Sequence, residues 1–549
     1  MKKALLLVSL LLPFISLAQY PNWKWAKKAV TNSAGDSEGS NICTDKFGNT
    51  YVTGTIHSNT YFASTLLMTG GQEAFIAKYD SVGNLKWAKK SSCTCGAPVS
   101  TSISADGMGN AYITGYFSCS IVFGNDTLNP SAGQPYTVFL VKYDPNGNEI
   151  WARASWSASF GNQEGMAVIA DAAGNSYVTG TFESGNIHFG NYTLTGSPYA
   201  STFFVKYDPA GNVIWARQIT GTRWVIGSGL SLDYYRNHVY LSGSFYDTTI
   251  VGSFSLHSAG NRDIFIAKYD TAGQEIWATS QGGSDDDHGG PIETDLQGNI
   301  YTGGSFASDT AYFGTAYLIN TAAGKYDGYL AKYDSGGNTI WVKQIKGKAM
   351  DNVYDIGVDP KGNSFLSGSF YSDTISFVGS ALTCSHTDTT NTSFYTAKYD
   401  STGHPVWVYT NGNNNLGAGI CADTNGYAYQ MGNFNTSLDF GAVHFFNLAG
   451  ADLFIVKIGD TLQQINVPDI YEANNVMIYP NPSGGFFTLL TSGKDIPFTI
   501  EDMYGQETYR SIATNKKYPV DLSSLQNGVY LLRTEAGTGR VTRKLIIQK

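Results

Sequence analysis

The stretch Lys206-Tyr-Asp-Pro-Ala-Gly-Asn-Val-Ile-Trp215 recurs in altered form along most of the chain. Its tryptophan has counterparts spaced 62 to 66 residues apart, at Trp25, Trp87, Trp151, Trp277, Trp341 and Trp407. Lys-Tyr-Asp precedes all but the first of these tryptophans, and a degenerate copy ends at Asp460. A fixed period of this length predicts a repeat architecture.

Within each period the pattern predicts four short strands. In the third period, strands at 166–170 and 177–182 flank the turn Asp171–Asn175, and the turn Asp208–Asn212 joins a strand at 203–207 to the one carrying the tryptophan. Alternating apolar residues and glycine-bearing turns are typical of a four-stranded antiparallel blade. Seven periods therefore predict an all-β, seven-bladed β-propeller.

The two ends of the repeat indicate how the ring closes. Trp25 comes before any Lys-Tyr-Asp element, whereas no tryptophan follows the last copy at Asp460. We therefore expect residues 23–28 to supply the outer strand of the last blade. Pairing of the N- and C-terminal strands would remove an exposed sheet edge.

Two motifs link the chain to a known repeat. Asp171-Ala-Ala-Gly-Asn-Ser-Tyr-Val-Thr-Gly180 and the stretch ending at Trp215 resemble the SBBP-type bacterial β-propeller repeat over residues 22–460. The resemblance implies a propeller fold and brings no catalytic residues. The fourth period departs from it at Asp233–Asn237, which lacks the turn glycine.

The first residues predict a signal peptide over 1–18. Lys2 and Lys3 precede an apolar stretch, and Ser16-Leu17-Ala18 has the small residues of a cleavage site. The stretch is short for a membrane anchor, so we expect no integral membrane segment after its removal. The predicted domains are then the propeller at 19–462, a linker at 463–475 and a C-terminal domain at 476–549.

The C-terminal domain carries a second set of motifs. Tyr479-Pro480-Asn481-Pro482, Gly528-Val529-Tyr530 and a basic, apolar terminus resemble the type A sorting domain of the type IX secretion system. The resemblance implies a small Ig-like β-sandwich that docks on the secretion machinery and carries the protein across the outer membrane. Secretion or cell-surface display follows from it. The alternative is an ordinary Ig-like binding module.

The amino-acid composition argues against a nucleic acid as a binding partner. The formal net charge is −9 and charged residues make up 14% of the chain, so no basic stripe is available to bind a nucleic acid. No cofactor is predicted, and we expect a monomer.

Recognition is expected on one face of the propeller. Short, uniform Asp-x-x-Gly-Asn turns occupy one face, whereas the connections on the other face are long and differ in every blade. Variable loops on a rigid scaffold usually carry binding sites. Trp156, Phe160, Arg223 and Trp224 lie on these loops, where they either contact a ligand or fill gaps between loops.

Other polar and sulfur-bearing residues on the variable loops suggest further sites. Asp285, Asp286, Asp287 and His288 either bind a divalent cation such as calcium or form a solvated loop. Cys93, Cys95 and Cys119 permit one disulfide, to Cys119, in an exported protein. Cys43 and Cys421 are predicted to be small buried core residues that do not face each other, and Cys384 has no evident partner.

These observations predict an exported, non-catalytic propeller that binds an extracellular glycan or protein. The alternative is a polysaccharide hydrolase or lyase that uses the same face. The acidic run at 285–287 is the sequence feature that supports this alternative. A surface or adhesion component without a discrete ligand is the third possibility.

Overall fold

The computed structural model describes two stretches of the chain. They are residues 21–459, except 32–35, 94, 131–134, 159, 321–323, 379–382, 386–391, 411–414, 436, 442 and 448–449, and residues 477–547, except 480–484, 491–494, 503–504, 516 and 537–538. The predicted signal peptide and linker lie outside them. Contacts divide the chain into two compact parts, the first ending at Thr461 and the second beginning at Leu462. Within the described residues, no helix is long and apolar enough to cross a membrane.

The N-terminal part is built of short strands. In chain order the first twenty are β1 (Asn22–Thr31), β2 (Ser37–Thr44), β3 (Thr50–Ile56), β4 (Thr60–Phe62), β5 (Thr65–Leu67), β6 (Glu73–Tyr79), β7 (Leu85–Lys90), β8 (Ser92–Cys93), β9 (Val99–Ala105), β10 (Ala111–Phe117), β11 (Ile121–Phe123), β12 (Asp126–Leu128), β13 (Thr137–Tyr143), β14 (Glu149–Ala154), β15 (Gln163–Ala170), β16 (Ser176–Phe182), β17 (Asn186–Phe189), β18 (Tyr192–Thr195), β19 (Ser201–Tyr207) and β20 (Val213–Gly221). The rest are β21 (Val225–Asp233), β22 (His238–Val251), β23 (Phe254–Asp270), β24 (Glu275–Gln281), β25 (Asp287–Thr294), β26 (Ile300–Phe306), β27 (Thr310–Phe313), β28 (Ala316–Ile319), β29 (Asp327–Tyr333), β30 (Thr339–Lys346), β31 (Asp351–Val358), β32 (Ser364–Phe370), β33 (Thr374–Phe377), β34 (Thr383–Ser385), β35 (Ser393–Tyr399), β36 (Pro405–Thr410), β37 (Asn415–Ala422), β38 (Ala428–Phe434), β39 (Ser437–Phe440), β40 (Val443–Phe446) and β41 (Asp452–Gly459).

These strands form seven four-stranded antiparallel modules in a propeller-like arrangement. In chain order the modules are β2-β3-β6-β7, β9-β10-β13-β14, β15-β16-β19-β20, β21-β22-β23-β24, β25-β26-β29-β30, β31-β32-β35-β36 and β37-β38-β41-β1. The N-terminal strand β1 thus completes the seventh module, with Trp25 opposite Lys457. The seventh module also packs on the first, through β37 and β2.

The repeated motifs join each module to the next. In the second module, Lys142 Nζ and Trp151 Nε1 both donate to the Pro209 carbonyl oxygen of the third, each at 3.1 Å. The Tyr112 hydroxyl lies 3.1 Å from Asp106 Oδ2 in its own module and 2.9 Å from the Gly174 carbonyl oxygen in the next. The repeated residues therefore make contacts between modules, in addition to forming the strands within each module.

The turn after the first strand of the fourth module lacks the glycine found in the equivalent turns. This turn, after β21, carries the positive φ at Asn237 (55°), whereas the matching turn of the first module has it at Gly48 (78°). Arg236 Nη1 lies 3.1 Å from Asp233 Oδ2 and ties the turn together. An asparagine tolerates the left-handed region better than most residues, so the departure from the repeat pattern is accommodated locally.

The two faces of the N-terminal part differ. Turns between the first and second and between the third and fourth strands of each module lie on what we call the turn face. The opposite loop face carries an outer hairpin in each module, between its second and third strands. The end of the preceding module's last strand reaches this hairpin, as in the β1–β4 and β30–β33 pairs.

The C-terminal part forms two small sheets. Its strands are β42 (Met477–Tyr479), β43 (Phe486–Leu490), β44 (Ile496–Glu501), β45 (Glu507–Ala513), β46 (Lys517–Asp521), β47 (Gly528–Ala536) and β48 (Gly539–Ile547). The sheets run β42-β43-β46 and β45-β44-β47-β48. Leu489 of one sheet and Ile500 and Leu532 of the other share a single apolar core.

Candidate functional site

A bend in the fourth module creates the base of the candidate site. Here β22 and β23 continue without a break into the outer hairpin, and the register shifts between Tyr246 and Thr248. Asp247, at the shift, has a φ of 63°. Tyr246 lies directly opposite Arg262 across the two strands. Both residues are therefore positioned on the loop face by paired backbone rather than by a free loop.

Arg262 is held in place by two neighbours. Its Nε and Nη2 donate to the Tyr246 hydroxyl oxygen at 3.0 and 2.7 Å. Its Nη1 lies 3.1 Å from Nδ1 of His288, the second residue of β25 in the fifth module. Burial and the adjacent Arg262 charge lower the pKa of His288 to about 4. The imidazole is therefore neutral at ordinary pH and can accept a hydrogen bond from Arg262.

Aromatic and basic residues from the β20–β21 connection cover Tyr246. The Tyr246 amide donates to the Trp224 carbonyl oxygen at 3.0 Å. The Trp224 and Tyr246 rings meet edge to face, with centroids 6.1 Å apart. The Arg223 guanidinium lies 5.2 Å from the Tyr246 ring centroid. Trp224 remains 47% exposed, so it is available to a ligand.

We call this group, with Tyr326 against the edge of His288, the Tyr246 cluster. The cluster consists of Arg223, Trp224, Tyr246, Arg262, His288 and Tyr326. The sequence analysis assigned Arg223 and Trp224 to ligand binding and His288 to cation binding, and it did not predict that they lie together. Sequence reasoning did not select Tyr246, Arg262 or Tyr326, because they belong to strands or strand ends rather than to an unusual loop motif.

Trp156 and Phe160 lie in a different environment. Trp156 exchanges two backbone hydrogen bonds with His188 of the third module's outer hairpin, at 3.0 and 2.7 Å. The Trp156 and His188 rings are 4.6 Å apart. Trp156 is 54% exposed and Phe160 75% exposed. Trp156 therefore serves a module junction while keeping one side open to solvent.

The acidic run at 285–288 is divided among several environments. Asp287 is fully buried and accepts hydrogen bonds from the Gly283 amide (2.7 Å) and the Ser308 hydroxyl (2.8 Å). Asp286 Oδ1 accepts one from the Arg262 amide at 3.3 Å, whereas Asp285 is exposed. In the described part of the chain, no three His, Cys, Asp or Glu side chains are grouped to hold a metal ion. Cation binding by Asp285, Asp286, Asp287 and His288 stays a prediction.

The structure distinguishes the three loop cysteines. The Cys93 thiol donates to the Cys95 carbonyl oxygen. A hydrogen bond with the Cys95 side chain, reinforced by burial, raises the pKa of Cys119 to about 11. Cys95, rather than Cys93, therefore has its thiol beside Cys119.

A central cavity lies where the first strands of the modules meet. It has a volume of about 640 Å³, and the first strands of all seven modules line it. Glu293 and Asp355 border it, and burial raises their pKa values to about 8 and about 7, with the Asp355 charge adding to the effect on Glu293. The signal available in the sequence was a carboxyl residue within a first strand, Glu293 in β25 and Asp355 in β31.

The cavity also corrects the prediction for two cysteines. Cys43 and Cys421 pack against core clusters but are half-buried and border the cavity, so the prediction that they are buried is wrong. A residue on the first strand of a module has a neighbouring module on one side and the cavity on the other. Cys384 belongs to β34, and its side chain lies outside the described residues.

The C-terminal motif residues are only partly described. Gly528 begins β47, Val529 is half-buried, and Tyr530 is buried with its hydroxyl donating to the Gln526 carbonyl oxygen at 3.0 Å. Tyr479 ends β42. Pro480, Asn481 and Pro482 lie outside the described residues. Tyr530 is therefore part of the core of the C-terminal part.

Comparison with known families identifies this region. Residues 477–548 match the family model described as secretion system C-terminal sorting domain. The chain carries a type IX secretion sorting domain. It is therefore exported by the type IX secretion system, to the cell surface or beyond. This confirms the localisation and secretion-machinery predictions.

Other similar proteins are more distant. The chain is 24% identical over 462 residues to an uncharacterized WD repeat-containing protein, L264, of Acanthamoeba polyphaga mimivirus, covering 69% of this chain. It spans only 32% of that relative's length. Similar solved structures include YCF48 bound to D1 peptide (TM-score 0.38, 9% identity, covering 82% of this chain and 100% of that one). Another is PorZ, a type IX secretion surface component of Porphyromonas gingivalis (TM-score 0.17, 8% identity, covering 95% and 100%).

Proposed function

We propose that the mature chain is a seven-bladed β-propeller of SBBP-type repeats followed by an Ig-like, type A sorting sandwich. The seven modules and the β1–β41 pairing support the propeller assignment. Two sheets that share one core support the sandwich assignment. The sorting domain delivers the propeller to the outside of the cell, where its loop face meets ligand.

The propeller binds an extracellular glycan through the Tyr246 cluster, without catalysis. One observation carries this proposal: Trp224 is half exposed while its ring packs edge-on against Tyr246, beside two arginines. A flat apolar ring next to hydrogen-bond donors matches a sugar, which has an apolar C–H face and polar edges. Packing against Tyr246 limits the side-chain freedom that Trp224 would lose on binding.

The carboxylates of the acidic run at 285–287 support binding over hydrolysis. A glycosidase needs two carboxyl groups facing the substrate. Asp287 is fully buried and hydrogen-bonded to Gly283 and Ser308, and Asp286 is engaged by the Arg262 amide. Only Asp285 of the acidic run is exposed. The acidic run therefore offers one exposed carboxyl group, which supports binding rather than hydrolysis at that run.

A glycan array probed with the mature chain tests the proposal. We expect Trp224→Ala to weaken binding at least about tenfold, a typical loss for an aromatic anchor. Trp156→Ala is the matched control, because that tryptophan is equally exposed but lies at another module junction. If Trp156→Ala lost binding and Trp224→Ala did not, the assignment to the Tyr246 cluster would be overturned. If the mature chain bound proteins on a protein array but no glycan, the glycan assignment would be overturned. Release of reducing ends from a bound polysaccharide would overturn the non-catalytic proposal.

A further inference from the structure

The arginines of the N-terminal part fall into two groups. Three of the five serve the scaffold: Arg153 and Arg217 donate to carbonyl oxygens of the following module, and Arg236 pairs with Asp233. The other two, Arg223 and Arg262, both lie against Tyr246, at 5.2 and 4.9 Å from its ring centroid. Among the described residues, neither forms an ion pair with a carboxylate.

The contacts of Arg262 leave donors unused. A guanidinium has five N–H groups. Arg262 directs Nε and one side of Nη2 at the Tyr246 hydroxyl and one side of Nη1 at His288. One N–H therefore remains on each terminal nitrogen. These two groups can donate to the oxygens of a carboxylate or sulfate.

Two guanidinium groups and two carboxylates lie around Tyr246. Arg223 and Arg262 contact its ring, Asp247 follows it in the chain, and Asp286 accepts from the Arg262 amide at 3.3 Å. The chain as a whole has a formal net charge of −9. His288 is neutral at ordinary pH, because burial and Arg262 lower its pKa to about 4, so it adds no charge. Among the described residues, the cluster thus presents two guanidinium groups without a carboxylate partner, beside aromatic rings, on an acidic protein.

We propose that the glycan bound by the Tyr246 cluster is an acidic polysaccharide, whose anionic substituent binds Arg262 and Arg223 while a sugar ring lies on Trp224. This inference rests on the proposed function and specifies its ligand class. The shared chemistry is an anionic oxygen group, from either a uronic-acid carboxylate or a sulfate ester. Arg262 would fix the orientation of that group, and exposed Arg223 would add charge beside it.

The test compares matched polysaccharides. The mature chain is titrated with polygalacturonate, with the same polymer after full methyl esterification, with a neutral galactan and with a sulfated galactan. We expect an anionic polymer to bind at least about tenfold tighter than its neutral counterpart, and this advantage to shrink with added salt. The carboxylated and sulfated arms show which anionic group is preferred.

Variants separate this inference from the proposed function. Arg262→Gln and Arg223→Gln should each reduce the anionic advantage, and Arg262→Lys should restore only part of it, since lysine lacks the bidentate fork. Lys361→Gln, on an exposed turn-face residue, removes one charge elsewhere and should change nothing. Equal, Trp224-dependent affinity for neutral and anionic polymers would overturn the acidic class and leave glycan binding intact. No binding of any polymer would overturn both.

Discussion

The indole nitrogen of Trp25 donates a hydrogen bond of 3.2 Å to the carbonyl oxygen of Ser81. Trp25 belongs to the seventh module and Ser81 to the first, so this bond crosses the junction where the two ends of the ring meet. Trp151 makes the equivalent bond to Pro209 between the second and third modules. The closing junction therefore uses the same contact as an interior one.

Removal of the closing tryptophan should destabilise the whole N-terminal part. We expect Trp25→Ala to lower the free energy of unfolding by roughly 3 kcal/mol, typical of losing a packed tryptophan. Trp224→Ala, on the surface, should change it by no more than about 0.5 kcal/mol. Urea denaturation followed by tryptophan fluorescence measures both. Similar stability of the two variants would show that the β1–β41 pairing does not close the ring.

The period of the sequence predicted four strands in each module, their antiparallel order and the pairing of β1 with β41. It did not predict the outer hairpins, whose residues were expected to form long variable loops. It could not predict the Tyr246 cluster. Tyr246 and Arg262 are the last pair of the regular β22–β23 ladder before the register shifts at Thr248, and the point at which such a ladder ends has no clear pattern in a single sequence. Likewise, the side of β2 that borders the cavity depends on the neighbouring modules, so the exposure of Cys43 could not be derived from its own module alone.

Two buried tyrosines at equivalent positions should respond differently to loss of the hydroxyl. The Tyr112 hydroxyl is within hydrogen-bonding distance of Asp106 and Gly174, whereas that of Tyr177 has no partner among the described residues. We expect Tyr112→Phe to cost roughly 1–2 kcal/mol, because it leaves a buried acceptor unpaired. Tyr177→Phe should be neutral or slightly stabilising. Equal losses in chemical denaturation would contradict the role of the hydroxyl in joining modules.

Stability should decline as the pH rises, in part through Asp351. This carboxyl is fully buried, and burial, followed by the nearby charge of Asp327, raises its pKa from 3.8 to about 8. The folded state thus holds a proton that the unfolded chain releases near pH 3.8. Its contribution is fully present below that pH and is lost as the pH rises through about 8.

Replacement of Asp351 by asparagine should flatten this dependence. We expect Asp351→Asn to gain roughly 1–3 kcal/mol relative to the parent protein between about pH 5 and pH 8. Part of the dependence of unfolding free energy on pH should remain in this variant, because burial also raises the pKa values of Asp263 and Asp287, to about 7 and about 6. Asp309→Asn, at an exposed site, is the control. Parallel curves of unfolding free energy against pH for Asp351→Asn and the parent would contradict the assignment.

Oxidation after export should link Cys95 to Cys119. The two side chains are hydrogen-bonded to each other, and a Cβ built on the intervening Gly96 would lie only 3.0 Å from Cys119 Cβ. A disulfide closing a loop of this size stabilises a fold by roughly 3 kcal/mol, chiefly by restricting the unfolded chain. Mass mapping of non-reduced peptides should show Cys95 joined to Cys119, with the link preserved in Cys93→Ser and lost in Cys119→Ser. A Cys93–Cys119 peptide would instead mean that the strand pairing of β8 with β11 rearranges on oxidation, because Cys93 lies opposite Ile121 in that pairing.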